Sequence, residues 1–373
     1  MNEIKITQEL VRIPSYVNEE TNEQAIQKWL YRFLEKYCSW LKIKRQKVEN
    51  NRYNLIATDG WPAKVVFVCH MDTIRPSGKK ESMLTPIIKD GKLYGLGAAD
   101  MKAGIASLLS AVSEIKKTKG LTLIFDCDEE YYFKGIKKIL STYLLKPELV
   151  ICPEPTNLEI TNGCRGLIEI ELTILGKSSH ASQPETGINA VCEAVEIFKI
   201  LKNKIKKNDL RELGKTTANL GYLYGGLNNN GSIEVQSNSV PNIAKFILDI
   251  RPANPKASAE KVLNQIETIA KERKATLSER KIKLNYQPYL IQKRTLKEFI
   301  KFTRAISKKV KFRKDLGKGG FYESALIYQA WNVPAISFGP TGFGHSVDEW
   351  VDTESIRITK NIFRRLIEQM VQN

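Results

Sequence analysis

The 373-residue chain is poor in histidine, with three, and its six cysteines show no Cys-x-x-Cys spacing. It also has no apolar run of transmembrane length, which excludes a spanning helix and makes a membrane partner unexpected. The first residues, Met1 to Gln8, lack the apolar stretch of a secretory signal, so the expected location is the cytoplasm. Cys38, Cys69, Cys127, Cys152, Cys164 and Cys192 are too few to staple a chain of this size and read as reduced thiols. Cys69, Cys127 and Cys152 stand in apolar runs just before acidic or histidine residues. They read as small buried hydrophobes and not as ligands.

Two further absences narrow the function. No basic cluster is interleaved with aromatics and no nucleic-acid module is recognisable, so nucleic acid is excluded as a partner. The turn Gly95-Leu96-Gly97-Ala98-Ala99-Asp100 lacks a third glycine and puts a carboxylate where a pyrophosphate would be repelled, which excludes a dinucleotide turn. What the chain does have is positive charge: 58 Lys and Arg against 41 Asp and Glu, a net +17. The excess lies in helix-like stretches such as 199–207, 293–301 and 308–318. It suits solvated faces, and equally an anionic substrate or an acidic protein partner.

With 42% apolar residues the chain can fill two cores, and its texture changes twice. Up to about residue 165, helix-period and strand-like segments alternate. Ala25, Ile26, Trp29, Leu30, Phe33 and Leu34 make residues 23–37 an amphipathic helix, while 64–69, 121–127 and 149–152 are apolar runs of buried-strand length. That is the pattern of an α/β sheet, and 333–338 repeats it, so the C-terminal segment is expected to rejoin the same sheet. Between them, alternating strands at 168–175 and 243–250 and helices around 190–201 and 259–271 predict an inserted α+β domain. The expected boundaries are 1–166 with 286–373 for the first domain and 167–285 for the second.

Each apolar run of the first domain is followed at once by acidic or histidine residues, and open α/β sheets bind beyond the carboxyl ends of their strands. His70-Met71-Asp72 follows one run, and two-residue spacing lets Asp72 hydrogen-bond the imidazole. Asp100 opens an expected helix over 101–112, as a ligand or as an N-cap. Asp126-Cys127-Asp128-Glu129-Glu130 follows another run, and adjacent carboxylates repel unless water or a cation compensates them. Glu154 is stiffened between Pro153 and Pro155, and His345 follows the last run. Singly these are weak signals. Together His70, Asp100, Glu130, Glu154 and His345 supply two imidazoles and three carboxylates, enough for two metal ions if one carboxylate bridges.

This constellation, spread over nearly the whole chain, resembles the M20 family of metallopeptidases and deacylases. The resemblance implies a mixed-sheet, zinc-peptidase-like catalytic domain with an inserted lid and dimerisation domain, acting as a homodimer. It makes His70 and Glu154 ligands of one ion, Glu130 and His345 ligands of the other, and Asp100 the bridge. Asp72 would orient His70, and Glu129 would be the general base that takes the proton of a water held between the ions and returns it to the leaving amine. Gly176 to Pro184 resembles the family's lid segment, so His180 is implied to stabilise the oxyanion in the partner subunit's site. Asn238 and Arg251 match positions that hold the oxyanion and the substrate's carboxylate, with a surface salt bridge as the other reading of Arg251. The implied cofactors are two divalent ions, Zn2+ first, with Co2+ or Mn2+ accepted by the same donors. The implied substrate is a small N-acyl amino acid, as for acetylornithine deacetylase and succinyl-diaminopimelate desuccinylase. A dipeptidase, a carboxypeptidase, or a hydrolase acting on an acidic carrier protein are the alternatives. Tyr131-Tyr132-Phe133 and Gly319 to Glu323 depart from the family's pattern, which leaves the acyl group and the amino acid open.

Overall fold

A computed structural model describes residues 2–77, 80–205, 208–230 and 232–371. The chain divides into two compact units: Met1–Asn162 with Ile291–Arg313 and Tyr322–Asn373, and Gly163–Leu290 with Lys314–Phe321. The second unit thus takes in a few residues on either side of 167–285 and adds a short segment from further along the chain.

In the first unit a six-stranded sheet runs in the order Lys42–Glu49, Arg52–Thr58, Leu121–Asp126, Val65–His70, Leu149–Cys152, Ala335–Ser337. The first two strands pair antiparallel with their neighbours and the last four run parallel. Every residue of the four parallel strands is buried, because helices cover both faces of such a sheet. Their unbroken apolar runs follow from that. Helix Ala103–Ser113 is buried along almost its whole length and packs against Glu3–Arg12 and Thr353–Val371. The last of these, 19 residues long, was not singled out from the sequence, although Ile356, Ile362, Phe363, Leu366 and Ile367 give it a helical stripe. A small antiparallel sheet, Gly342–Phe343, Trp350–Asp352, Lys92–Tyr94, Ile87–Lys89, carries the segments that bear Asp100 and His345.

The second unit is a five-stranded antiparallel sheet ordered Ser232–Glu234, Thr217–Asn229, Ile243–Arg251, Leu167–Leu175, Thr276–Tyr286. Ile168, Ile170, Leu172 and Ile174 alternate inward, as do Phe246, Leu248 and Ile250, and helices Ala190–Lys204 and Ala259–Glu272 close that face. Asn189 and Ser258 cap these helices by accepting first-turn N–H groups. The expected mixed α/β fold with an α+β insertion is the one found. Among the described residues no helix is long and apolar enough to cross a membrane.

Candidate metal centre

The ends of the parallel strands deliver the site. His70 is the last residue of its strand and pairs in register with Asp126, the last of the next. Glu154 lies two residues beyond Cys152, and the turn Cys127–Glu130 follows Asp126 directly. Asp100 departs from expectation. It does not open a helix; residues 98–102 form a wider turn in which Asp100 is extended (φ −117°, ψ 97°), and the regular helix begins at Ala103.

The turn puts the Asp100 carboxylate between two histidines. Oδ1 lies 3.1 Å from His70 Nε2, and Oδ2 lies 3.3 Å from His345 Nε2. Glu154 Oε1 is 4.0 Å from His70 Nε2, while Glu130 Oε2 is 3.0 Å from His345 Nε2. Two triads result, His70/Asp100/Glu154 and Asp100/Glu130/His345, each with ligand atoms within 4.8 Å of one another. Nδ1 of His70 donates to the carbonyl of Asp72 at 3.0 Å, which leaves Nε2 to offer its lone pair to the site. The donor set fits divalent cations. Buried Oε1 atoms of Glu130 and Glu154 have no hydrogen-bond partner, and three carboxylates converge on two imidazoles.

Without a cation the imidazoles become the counter-ions. Burial lowers His70, but Asp100, Glu129 and Glu154 overcome it and leave the imidazole well above its ordinary pKa. His345, bonded to Asp100 and Glu130, is pushed up to about 11. Burial alone would raise Asp100, yet the two imidazoles hold its carboxyl below the usual range. Glu129 is raised well above a normal glutamate, first by burial and then by Glu154, Glu130 and Asp100, against the opposing pull of His70. Cys69, Cys127 and Cys152 are buried, their thiols pushed up chiefly by burial, and they belong to neither triad.

The carboxylate of Asp72 does something other than the expected orientation of His70. It stays 3.7 Å from Nδ1, where the main-chain carbonyl already accepts, and instead takes the N–H of Glu129 on Oδ1 and that of Glu130 on Oδ2, both at 3.1 Å. The other side of that turn is held by a buried cluster. Arg52 Nε and Nη2 donate to Glu23, Nη2 also meets Asp128 Oδ1 at 2.8 Å, and Glu23 Oε1 accepts the N–H of Asp128 at 3.1 Å. Asp128 has φ +73°, so the chain reverses tightly before Glu129. Gly135 packs against this turn so closely that a Cβ would come within 2.4 Å of the Cys127 carbonyl.

Several residues that shape the site were not found from the sequence. Glu349 accepts three N–H groups from the segment carrying Asp100. Lys102 is buried beside that segment, its Nζ donating to the Ile13 carbonyl at 2.9 Å. Glu323 opens helix Glu323–Trp331 fully buried and faces the equally buried Asp126, burial raising both carboxyls and taking Asp126 to about 6. Each has its partner far away along the chain; Lys102 offered the signal of a charge among small apolar residues, and Glu323 ended the stretch that departs from the family's pattern. Of the unusual aromatics after Glu130, Phe133 is buried and Tyr132 exposed.

His180, Asn238 and Arg251 lie in the second unit. His180 is exposed, its Nδ1 2.7 Å from Ser182 Oγ, and it bridges to Ser239. Asn238, also exposed, accepts the N–H of Ala181 through its main-chain carbonyl. Arg251 holds Asp249 in a two-pronged pair at 2.7 and 2.8 Å through Nε and Nη2. Phe321, from the departing loop, stacks on Tyr286 with ring centroids 5.1 Å apart.

Residues 66–369 match Peptidase family M20/M25/M40. The chain belongs to this family. Among its relatives, the acetylornithine deacetylase of Proteus mirabilis is 28% identical over 265 residues, 67% of this chain and 66% of that protein. The chain spans 54% to 66% of the length of the curated relatives it matches. A tripeptidase from Staphylococcus aureus superimposes with a TM-score of 0.73 at 22% identity, covering 99% of this chain and 98% of the other. A dinuclear metal binding peptidase of the M20 family from Bacillus subtilis does so with a TM-score of 0.65 at 16% identity, covering 98% of each chain. At these identities the likeness shows a shared M20 fold.

Proposed function

We propose that this M20 protein is a metal-dependent amide hydrolase that removes a small acyl group from an N-acyl amino acid. The observation that carries the proposal is the Asp100 carboxylate shared between two histidine–carboxylate pairs, with Glu129 next in chain to one of them. His70, Asp100 and Glu154 would hold one divalent ion, zinc first among the candidates, and Asp100, Glu130 and His345 a second. Such ions supply the positive charge that acidifies a water and polarises an amide carbonyl. Glu129 takes the water's proton on its carboxylate as the C–O bond forms, and gives it to the amine as the C–N bond breaks. Asp72 keeps the base in place through the N–H groups of Glu129 and Glu130.

The second unit serves as lid and dimerisation domain in this reading. His180 and Asn238 stabilise the oxyanion, His180 in the site of the partner subunit. Arg251 binds the substrate's carboxylate with Nη1 and the second N–H of Nη2, since Asp249 takes Nε and the first. A free acyl amino acid is the first choice of substrate, and an acidic carrier protein bearing the amino acid is the alternative that the +17 charge suits.

The test is hydrolysis of N-acetylornithine, N-succinyl-diaminopimelate, other acyl amino acids and dipeptides before and after chelation, with Glu129→Gln alongside. The expected outcome is chelator-sensitive release of one amine, with metal retained and turnover reduced about 10^2- to 10^4-fold in the variant. Unchanged turnover in Glu129→Gln would refute the assigned base, and cleavage of dipeptides alone would move the protein to a dipeptidase. For His180, mixing inactive His180→Ala and Glu129→Gln subunits should restore part of the activity. None in verified mixed dimers would refute the role in trans.

A further inference from the structure

We infer that Glu349 is a positioning residue tying the loop that bears Asp100 to the loop that bears His345, and that the second cation position depends on this tie far more than the first. The inference rests on the metal-centre reading above. Gly97, Ala99 and Asp100 stand at the start of the turn that leads into helix Ala103–Ser113, where main-chain N–H groups have no partner within the helix. Glu349 takes three of them: Oε2 accepts from Gly97 at 2.9 Å, and Oε1 from Ala99 at 2.9 Å and Asp100 at 3.0 Å. Its own carbonyl accepts from Gly95 at 3.1 Å, so one residue holds the 95–100 segment by four hydrogen bonds. The side chain is buried, and a carboxylate ringed by N–H donors makes strong, charge-assisted bonds.

Glu349 stands four residues after His345, so the segment it anchors is the one that carries the second triad's imidazole. The two triads differ in what else holds them. His70 and Glu154 are buried, one ending a parallel strand and the other two residues beyond the next, and the 3.1 Å contact of His70 with Asp100 does not involve residue 349. His345 sits at φ +56° with 55% of its side chain exposed, between the short strands Gly342–Phe343 and Trp350–Asp352. Loss of the Glu349 carboxylate removes three of these four bonds between the Asp100 turn and the end of the His345 loop, leaving only the main-chain bond to Gly95. The distance that opens is the one between Asp100 Oδ2 and His345 Nε2.

The experiment is a zinc titration of the full chain in competition with a chelating dye, comparing the unaltered protein with Glu349→Gln and Glu349→Asp. Glutamine presents one oxygen and an NH2 that opposes the N–H donors; aspartate keeps the charge on a shorter reach and guards against a variant that fails to fold. Circular dichroism and thermal unfolding establish that each variant is folded. The expected result is two zinc ions bound by the unaltered chain. In the variants one site should be unchanged and the other weakened by about 10- to 100-fold, Glu349→Asp less than Glu349→Gln. Two unweakened sites in folded variants would overturn the inference, as would equal weakening of both. No uptake by the unaltered chain would sink the metal-centre reading and this inference with it, whereas two sites indifferent to residue 349 would sink the inference alone.

Discussion

Replacing Arg52 with methionine should destabilise the first unit by about 3–5 kcal/mol, the cost of leaving buried carboxylates without their cation. Arg52 is 8% exposed, and Glu23 and Asp128 are 2% exposed, so water does not take over when the guanidinium goes. Burial alone would lower the affinity of Arg52 for its proton, but Glu23 and Asp128 more than reverse this and keep it charged. The guanidinium makes two bonds to Glu23, a contact to Asp128 and a fourth, at 2.8 Å, to Glu49. The last counts for little, since Glu49 is 36% exposed and also bound by Lys134. In the variant Glu23 keeps only the N–H of Asp128, and two carboxylates are left together. Arg52→Lys retains the charge and loses the fork, so it should cost less, about 1–2 kcal/mol. Urea unfolding at fixed metal concentration measures both. A loss below about 1 kcal/mol for Arg52→Met would show that the cluster is not the buried anchor of the Glu129 turn.

Three further outcomes follow from the same geometry. Gly104→Ala would place a Cβ 2.0 Å from the Pro153 carbonyl, next to Glu154; a melting experiment should show a loss of about 1–3 kcal/mol, and an unchanged midpoint would mean that the helix and the Glu154 loop do not pack this closely. Asp72→Asn can accept only one of the two N–H groups from Glu129 and Glu130, so turnover should drop about 10- to 100-fold in steady-state assays, and full activity would contradict the clamp. Lys102 is lowered from 10.5 to about 7 by burial, despite the nearby charge of Glu349. Between those values the unfolded chain holds a proton that the folded chain has released, so this residue makes stability rise with pH across the window. Lys102→Met should remove that rise in urea unfolding followed against pH, and parallel profiles for the two proteins would refute it.

Much of this arrangement was legible in the sequence because it rests on local pattern. The four apolar runs at 64–69, 121–127, 149–152 and 333–338 contain the fully buried parallel strands Val65–His70, Leu121–Asp126, Leu149–Cys152 and Ala335–Ser337, give or take one residue at an end, and that burial made them unbroken. The five residues with ligand chemistry stood out because each follows such a run or a glycine-rich turn. What stayed hidden needed contacts between distant residues. Glu349 reaches Asp100 across 249 positions, and Arg52 reaches Asp128 from the antiparallel strand beside the one that ends at Asp126. The role of the Asp72 carboxylate was hidden for a subtler reason: two-residue spacing puts Asp72 near His70, but only three-dimensional structure reveals that its carbonyl occupies Nδ1 first. The extended conformation of Asp100 was likewise masked by helix-favouring alanines on both sides, and tertiary bonds to Glu349 override that preference.

Elemental analysis of the purified chain, repeated after zinc is supplied, tests the shared-carboxylate centre most directly when Asp100→Asn is measured beside it. About two divalent ions per chain are expected for the unaltered protein, and a folded Asp100→Asn protein should fail to hold the pair. A folded, unaltered chain that takes up no metal, or an Asp100→Asn variant that still binds two ions as tightly, would contradict the account.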